Sequence, residues 1–163
     1  MKTLLLLRHA KSSWDDSSIR DFDRPLADRG KRDAPRIGRA LKDRGPAPDL
    51  IVSSPAMRAK QTVEAAINAA GFTAPLQFDE SIYDASLADL MRVIRSLPDN
   101  KSTVLMAGHN PGFEGLVHRL SGASERMPTA ALAAIEFPVD HWQDVEDGQG
   151  KLLWLLTPRQ LRD

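Results

Sequence analysis

The chain opens on an unbroken apolar run, four leucines at positions 4–7, that stops at Arg8 and His9. A strand buried on both faces reads as such a run, and α/β sheets bind ligands beyond the carboxyl ends of such strands. The pattern returns at positions 104–107, which lead into Gly108, His109, Asn110 and Pro111. Two shorter runs, 50–52 and 76–78, end at Ser53-Ser54-Pro55 and at Asp79-Glu80. Between the runs the apolar spacing becomes helical: Ala34, Ile37 and Leu41; Ala59, Val63, Ala66, Ile67 and Ala70; Leu90, Ile94 and Leu97; Phe113, Leu116, Val117 and Leu120. Ser54 reads as an N-cap with Pro55 in the first turn, Ser86 with Asp89 as the opening of the third helix, and Asn110 as a cap followed by Pro111 at the first helical position. Gly45-Pro46-Ala47-Pro48 and Gly71 close the first two helices. Positions 132–137 and 152–156 are late strands with no helix between them, which predicts that at least one pairs antiparallel.

This alternation predicts a single domain over residues 1–163, a three-layer α/β/α sandwich whose central sheet is mostly parallel with an antiparallel edge strand. The carboxyl ends of the four early strands then share one rim. Arg8, His9, Ser53, Ser54, Arg58, Asp79, Glu80 and His109 collect there.

Composition narrows the partners. Lys plus Arg and Asp plus Glu both count 22, so no global field recommends a nucleic acid or an acidic membrane surface. Cysteine is absent, which excludes disulfides, thiolate catalysis and cysteine-ligated zinc. Four leucines before Arg8 are too few for a signal sequence or a membrane span, and the chain reads as cytoplasmic.

The rim residues suit a phosphoryl group. Arg8 and Arg58 carry planar forks that match phosphate oxygens, and a helix starting near Asn110 offers N–H groups and a positive dipole end. A neutral histidine among those donors can attack phosphorus and form a phosphohistidine that water later hydrolyses. His9 is the expected nucleophile, and His109 is placed to hydrogen-bond the transferring oxygens. The chemistry calls for no cofactor and no metal.

Four blocks in order resemble the histidine phosphatase superfamily, which has the phosphoglycerate mutase-like fold. Leu7-Arg8-His9-Ala10 is similar to its Arg-His signature. Arg24 to Gly30 resembles its "PLTxxG" segment, Ser53 to Thr62 its "SSPxxRAxQT" segment, and Gly108-His109-Asn110-Pro111 its second-histidine segment. The resemblance implies a phosphate pocket of Arg8, His9, Arg58 and His109, with His9 phosphorylated. Ala10 to Trp14, the short chain and the late His-Asn-Pro segment look most like bacterial phosphohistidine phosphatases of the SixA type. Relatives acting on phosphate monoesters carry an acid after the third strand, and Glu80 is the candidate here by position. A phosphohistidine asks less of such an acid, because an imidazole leaves as a neutral ring.

Three functions remain open: a protein phosphohistidine phosphatase, a phosphomonoesterase for a small metabolite using Glu80 as acid, and a phosphate-binding module without turnover. The expected partner is a phosphorylated protein or metabolite. Other features read as structural. Arg32, Arg36 and Arg39 line a solvated helix face, and Asp15, Asp16, Asp21 and Asp23 lack the spacing of a calcium loop and read as a flexible rim. Trp14 is placed at the pocket mouth, Trp142 and Trp154 in core or edge packing. His118 and His141 fall away from the site.

Overall fold

The computed structural model describes residues 1–162. Its centre is a six-stranded sheet in the order β3-β2-β4-β1-β5-β6. The strands are β1 (Lys2–Arg8), β2 (Leu50–Ser53), β3 (Leu76–Phe78), β4 (Thr103–Gly108), β5 (Leu132–Phe137) and β6 (Lys151–Leu156). β1 pairs parallel with β4, as do β2 with β4 and β2 with β3. β5 runs antiparallel to both β1 and β6. The reversed strand is therefore one place in from the edge, and the edge strand β6 points the same way as β1.

The leucine run explains the layers. Leu4, Leu5, Leu6 and Leu7 are all within 1 % of full burial, each stabilising the fold by roughly 2 kcal/mol. Side chains alternate across a strand. Leu4 and Leu6 join a cluster with Leu90, Ile94, Phe113 and Leu116, whereas Leu5 and Leu7 join Ile37, Leu41 and Val63. Helices α3 (Leu87–Arg95) and α4 (Gly112–Ser121) thus cover one face, and α1 (Asp28–Arg44) and α2 (Met57–Ala70) the other. A last turn, α5 (Pro158–Leu161), packs on α1. The result is the expected α/β/α sandwich. Among the described residues, no helix is long and apolar enough to cross a membrane.

Several helix boundaries differ from the sequence reading. α2 begins at Met57 with Ala56 as its N-cap, so Ser54 does not cap it and Pro55 precedes its first turn. α4 begins at Gly112, with Pro111 at the cap rather than the first helical position. α3 ends at Arg95, two residues before buried Leu97. The Ser86–Asp89 capping box forms as read.

The segment between β1 and α1 is tied down. Ser12 bridges to Leu26, and residues Asp21–Asp23 form one 3-10 turn. Gly30 lets this segment approach α1: a Cβ there would sit 2.2 Å from the Lys11 carbonyl oxygen. Gly108 plays the same part at the end of β4, where a Cβ would meet the Phe113 ring at 2.7 Å.

Candidate active site

β1 and β4 end side by side, with Arg8 paired to Gly108, so His9 and His109 leave adjacent strands at the same level. Their ring centroids lie 5.2 Å apart. Arg58 arrives from the first turn of α2, and its charge, like that of Arg8, acts on both imidazoles. The fold thus brings together Arg8, His9, Arg58 and His109.

His9 is buried, and its Nδ1 lies 2.8 Å from the Ala10 carbonyl oxygen. A carbonyl only accepts, so Nδ1 carries the proton and Nε2 keeps the lone pair. Burial is the main cause that pushes the His9 pKa down to about 4; the Ala10 contact opposes it, and Arg58, Arg8 and Arg24 push further. His9 is therefore a neutral imidazole at neutral pH. Burial pushes His109 down to about 3, helped by His9 and Arg58 and opposed by Asp21.

Both arginines are fastened by their terminal nitrogens. Arg8 Nη1 donates to the Met127 carbonyl at 2.9 Å; Arg58 Nη1 and Nη2 donate to the Asp21 carbonyl and carboxylate at 2.7 and 3.1 Å. Three buried nitrogens among the described residues have no partner: Arg8 Nε, Arg58 Nε and His109 Nδ1. Buried polar groups are rarely left unpaired, and each such lapse costs about 1–3 kcal/mol. Three of them on three residues of one cluster mark a place prepared for an anion.

The remaining motif residues form the frame. Thr62 Oγ1 accepts the Ala10 N–H at 2.9 Å and donates to the Arg58 carbonyl at 2.6 Å, tying the segment after His9 to α2. Gln61 accepts the Leu26 N–H. Ala130, at φ 62, donates its N–H to the His9 carbonyl.

Two expected contacts are placed otherwise. The amide of Asn110 is engaged by the protein: Nδ2 donates to the Met127 carbonyl and Oδ1 accepts the Glu114 N–H. The start of α4 is likewise occupied, since the Phe113 N–H donates to the His109 carbonyl. Glu80 is exposed at the head of the 3-10 turn Glu80–Ile82 and makes no hydrogen bond to the cluster.

The carboxylate that does reach the cluster is Asp21, which the sequence alone places in a flexible rim. Its Oδ2 takes hydrogen bonds from Arg58 and from the Tyr83 hydroxyl at 2.7 Å, and its Oδ1 from Arg24. Burial pushes the Asp21 carboxyl up, but Tyr83, Arg58 and Arg24 outweigh it and hold it at about 2. The Tyr83 ring stands edge-on to His109 at 5.7 Å. Ser54, read as a cap, instead places its hydroxyl 2.7 Å from His109 Nε2. Arg24 stacks over Trp14 at 3.5 Å, which accounts for a tryptophan that stays 70 % exposed. Trp142 is buried and His141 exposed, as the sequence implies, and His118 is exposed as well.

This geometry coincides with a sequence match. Residues 4–97 match the family described as Histidine phosphatase superfamily (branch 1), and the chain belongs to that family. The chain is 37 % identical over 165 residues to an uncharacterized chloroplastic protein of Arabidopsis thaliana, covering 95 % of this chain and 75 % of that one. It is 36 % identical over 164 residues to an uncharacterized protein of Mycobacterium tuberculosis, covering 94 % of this chain and all of that one. Among solved structures it resembles a protein designated phosphohistidine phosphatase SixA from Agrobacterium tumefaciens, with a TM-score of 0.84 and 29 % identity over 96 % of this chain and 98 % of that one.

Proposed function

We propose that the chain is a phosphatase that works without a metal, through a phosphohistidine on His9, and that its substrate is a phosphohistidine borne by another protein. The observation that carries the reading is the state of His9. Its Nδ1 is committed to the Ala10 carbonyl, its Nε2 lone pair is free, and burial beside two guanidiniums keeps it neutral at physiological pH.

In the first step the His9 Nε2 lone pair forms a bond to phosphorus while the bond from phosphorus to the substrate nitrogen breaks. Arg8 Nε, Arg58 Nε and His109 Nδ1 donate hydrogen bonds to the phosphoryl oxygens. If the other nitrogen of the substrate ring is protonated, the ring leaves neutral and needs no further proton. Water then attacks phosphorus, the Nε2–phosphorus bond returns its electrons to His9, and the water proton stays with the released phosphate.

The choice of substrate follows from the carboxylates. Asp21 is held ionised near pKa 2 and has no proton to give at neutral pH, while Glu80 stands outside the hydrogen-bonded cluster. An alkoxide leaving group needs an acid that a neutral imidazole does not. The resemblance to SixA points the same way.

The second reading, a metabolite phosphomonoesterase, requires Glu80 to turn inward as the acid; the exposed 3-10 turn that carries it permits this. Turnover of a chemically phosphorylated histidine protein, compared with a panel of sugar and aryl phosphates in the presence of EDTA, separates the two. Enzyme quenched in alkaline detergent, where the P–N bond survives, should carry phosphate on histidine, and His9→Ala should lose turnover while keeping its fold. Activity confined to the phosphomonoesters would remove the favoured substrate. A fully active His9→Ala variant would remove the mechanism.

A further inference from the structure

A second concavity opens on the same rim. β6 runs parallel to β1, so its carboxyl end and the segment after it reach the level of the active site. There they face the loop between α4 and β5 and the start of α1 across a groove of about 660 Å³. One wall is continuous with the catalytic pocket: Pro128 and Thr129 lie between Met127, whose carbonyl holds Arg8, and Ala130, whose N–H holds the His9 carbonyl.

The groove is cationic in a chain with no net charge. Arg29, Arg126, Arg159 and Arg162 line it against, among the described residues, the one carboxylate of Glu125. Arg162 is neutralised by buried Asp33 at 2.7 Å, and Arg29 touches the Thr129 hydroxyl. Arg126 and Arg159 are exposed and pair with no carboxylate among the described residues.

We propose that this groove docks an acidic polypeptide segment of the protein whose phosphohistidine enters the pocket. The inference rests on the phosphohistidine reading for its biological setting, but not for its chemistry. Two contrasts select the occupant. The catalytic pocket holds buried, unpaired nitrogens on fastened side chains, which suits one small rigid anion; the groove presents exposed arginines from three separate segments, which suits several carboxylates spread along a chain. A single-stranded nucleic acid would want aromatic platforms for its bases, and among the described residues no aromatic side chain lines the groove. Exposed charges of this kind act mainly on encounter and specificity, so their effect weakens with salt.

The test uses two synthetic peptides with the same phosphohistidine core, one flanked by four glutamates and one by four glutamines. Wild type should favour the acidic peptide by about 10-fold in kcat/KM at low salt, and the preference should fade as salt rises. R126E/R159E should lose or invert that preference while turning over the glutamine peptide at the wild-type rate. A wild type indifferent to the flank, or a variant that keeps the preference, overturns the proposal. If neither peptide is hydrolysed, the phosphohistidine reading fails by itself. Anisotropy of the unphosphorylated, fluorescent glutamate peptide then decides the groove: binding lost in R126E/R159E supports it, and no binding to wild type, or tighter binding of a single-stranded oligonucleotide, overturns it.

Discussion

His109 Nε2 lies 2.7 Å from Ser54 Oγ, and Ser54 is fully buried. The relationship matters because His109 is neutral: with its pKa pushed down to about 3, only one ring nitrogen carries a proton at physiological pH. For the unpartnered Nδ1 to meet an anion as a donor, the proton must sit there, and the serine hydroxyl must donate to Nε2. The Ser54 oxygen is left to accept the Ala56 N–H at 3.2 Å, which fits that direction.

Ser54→Ala should therefore lower kcat by about 10- to 100-fold, the usual scale for a partner that orients a functional histidine, with little change in the thermal midpoint. Ser54→Thr should restore much of it. Nitrogen NMR of the labelled imidazole should report the Nδ1–H form in wild type and a mixture in the alanine variant. A wild-type ring protonated on Nε2 would contradict this assignment.

Asp21 and Tyr83 should behave as one unit. Asp21→Asn removes the charge that braces Arg58, and we expect kcat/KM to fall by about 10-fold, with Tyr83→Phe adding little on top of it. Tyr83 is the sole tyrosine of the chain, so its phenolate absorbance gives a clean titration. The Asp21 hydrogen bond, with burial, raises the Tyr83 pKa above its ordinary value, and Asp21→Asn should bring it back down. An unshifted phenol titration would mean the two groups do not interact in solution.

Stability should fall on the acid side. The pKa of His9 is lowered to about 4 and that of His109 to about 3, from an ordinary 6.5. Between pH 6.5 and 4 the unfolded chain binds protons that the folded chain refuses, so the unfolding free energy drops as pH drops. The slope contributed by each of the two histidines approaches about 1.4 kcal/mol per pH unit between its folded and unfolded pKa values. The denaturant midpoint of wild type should fall more steeply than that of His9→Gln as pH falls from 7 to 4. Parallel curves would show that His9 titrates normally in the fold.

Gly30→Ala should damage the site at a distance. Its methyl would press the Lys11 carbonyl, which is backbone and already accepts the Ala27 N–H at 2.9 Å. Overpacking of this kind costs about 1–3 kcal/mol. The displaced loop also holds the Ala10 carbonyl that orients His9. We expect a lowered thermal midpoint together with reduced turnover; a variant with both unchanged would mean the loop yields freely.

Much of this was legible in the sequence because it is local. A leucine run, a histidine just past it and helical spacing on either side are properties of neighbouring residues, and they located both imidazoles and both arginines. What stayed hidden depends on long-range partners. Asp21 finds Arg58 37 positions away and Tyr83 62 away, and no local pattern distinguishes it from the acidic residues around it. Ser54 looks like a cap from its neighbours, but His109 claims its hydroxyl and α2 starts later. The missing helix between the two late strands shows that one of them reverses, but not that it is β5, since a short apolar run is the same buried strand whichever way it points.

The fastening of Arg8 and Arg58 by the protein's own carbonyls and carboxylate has a kinetic corollary. Freezing a long cationic side chain costs up to about 2 kcal/mol, and here that ordering belongs to folding and not to capture. A cradle already set for a tetrahedral oxyanion greets the departing product as readily as the incoming group. Free inorganic phosphate should accordingly compete with substrate, and its escape becomes a natural brake on the cycle.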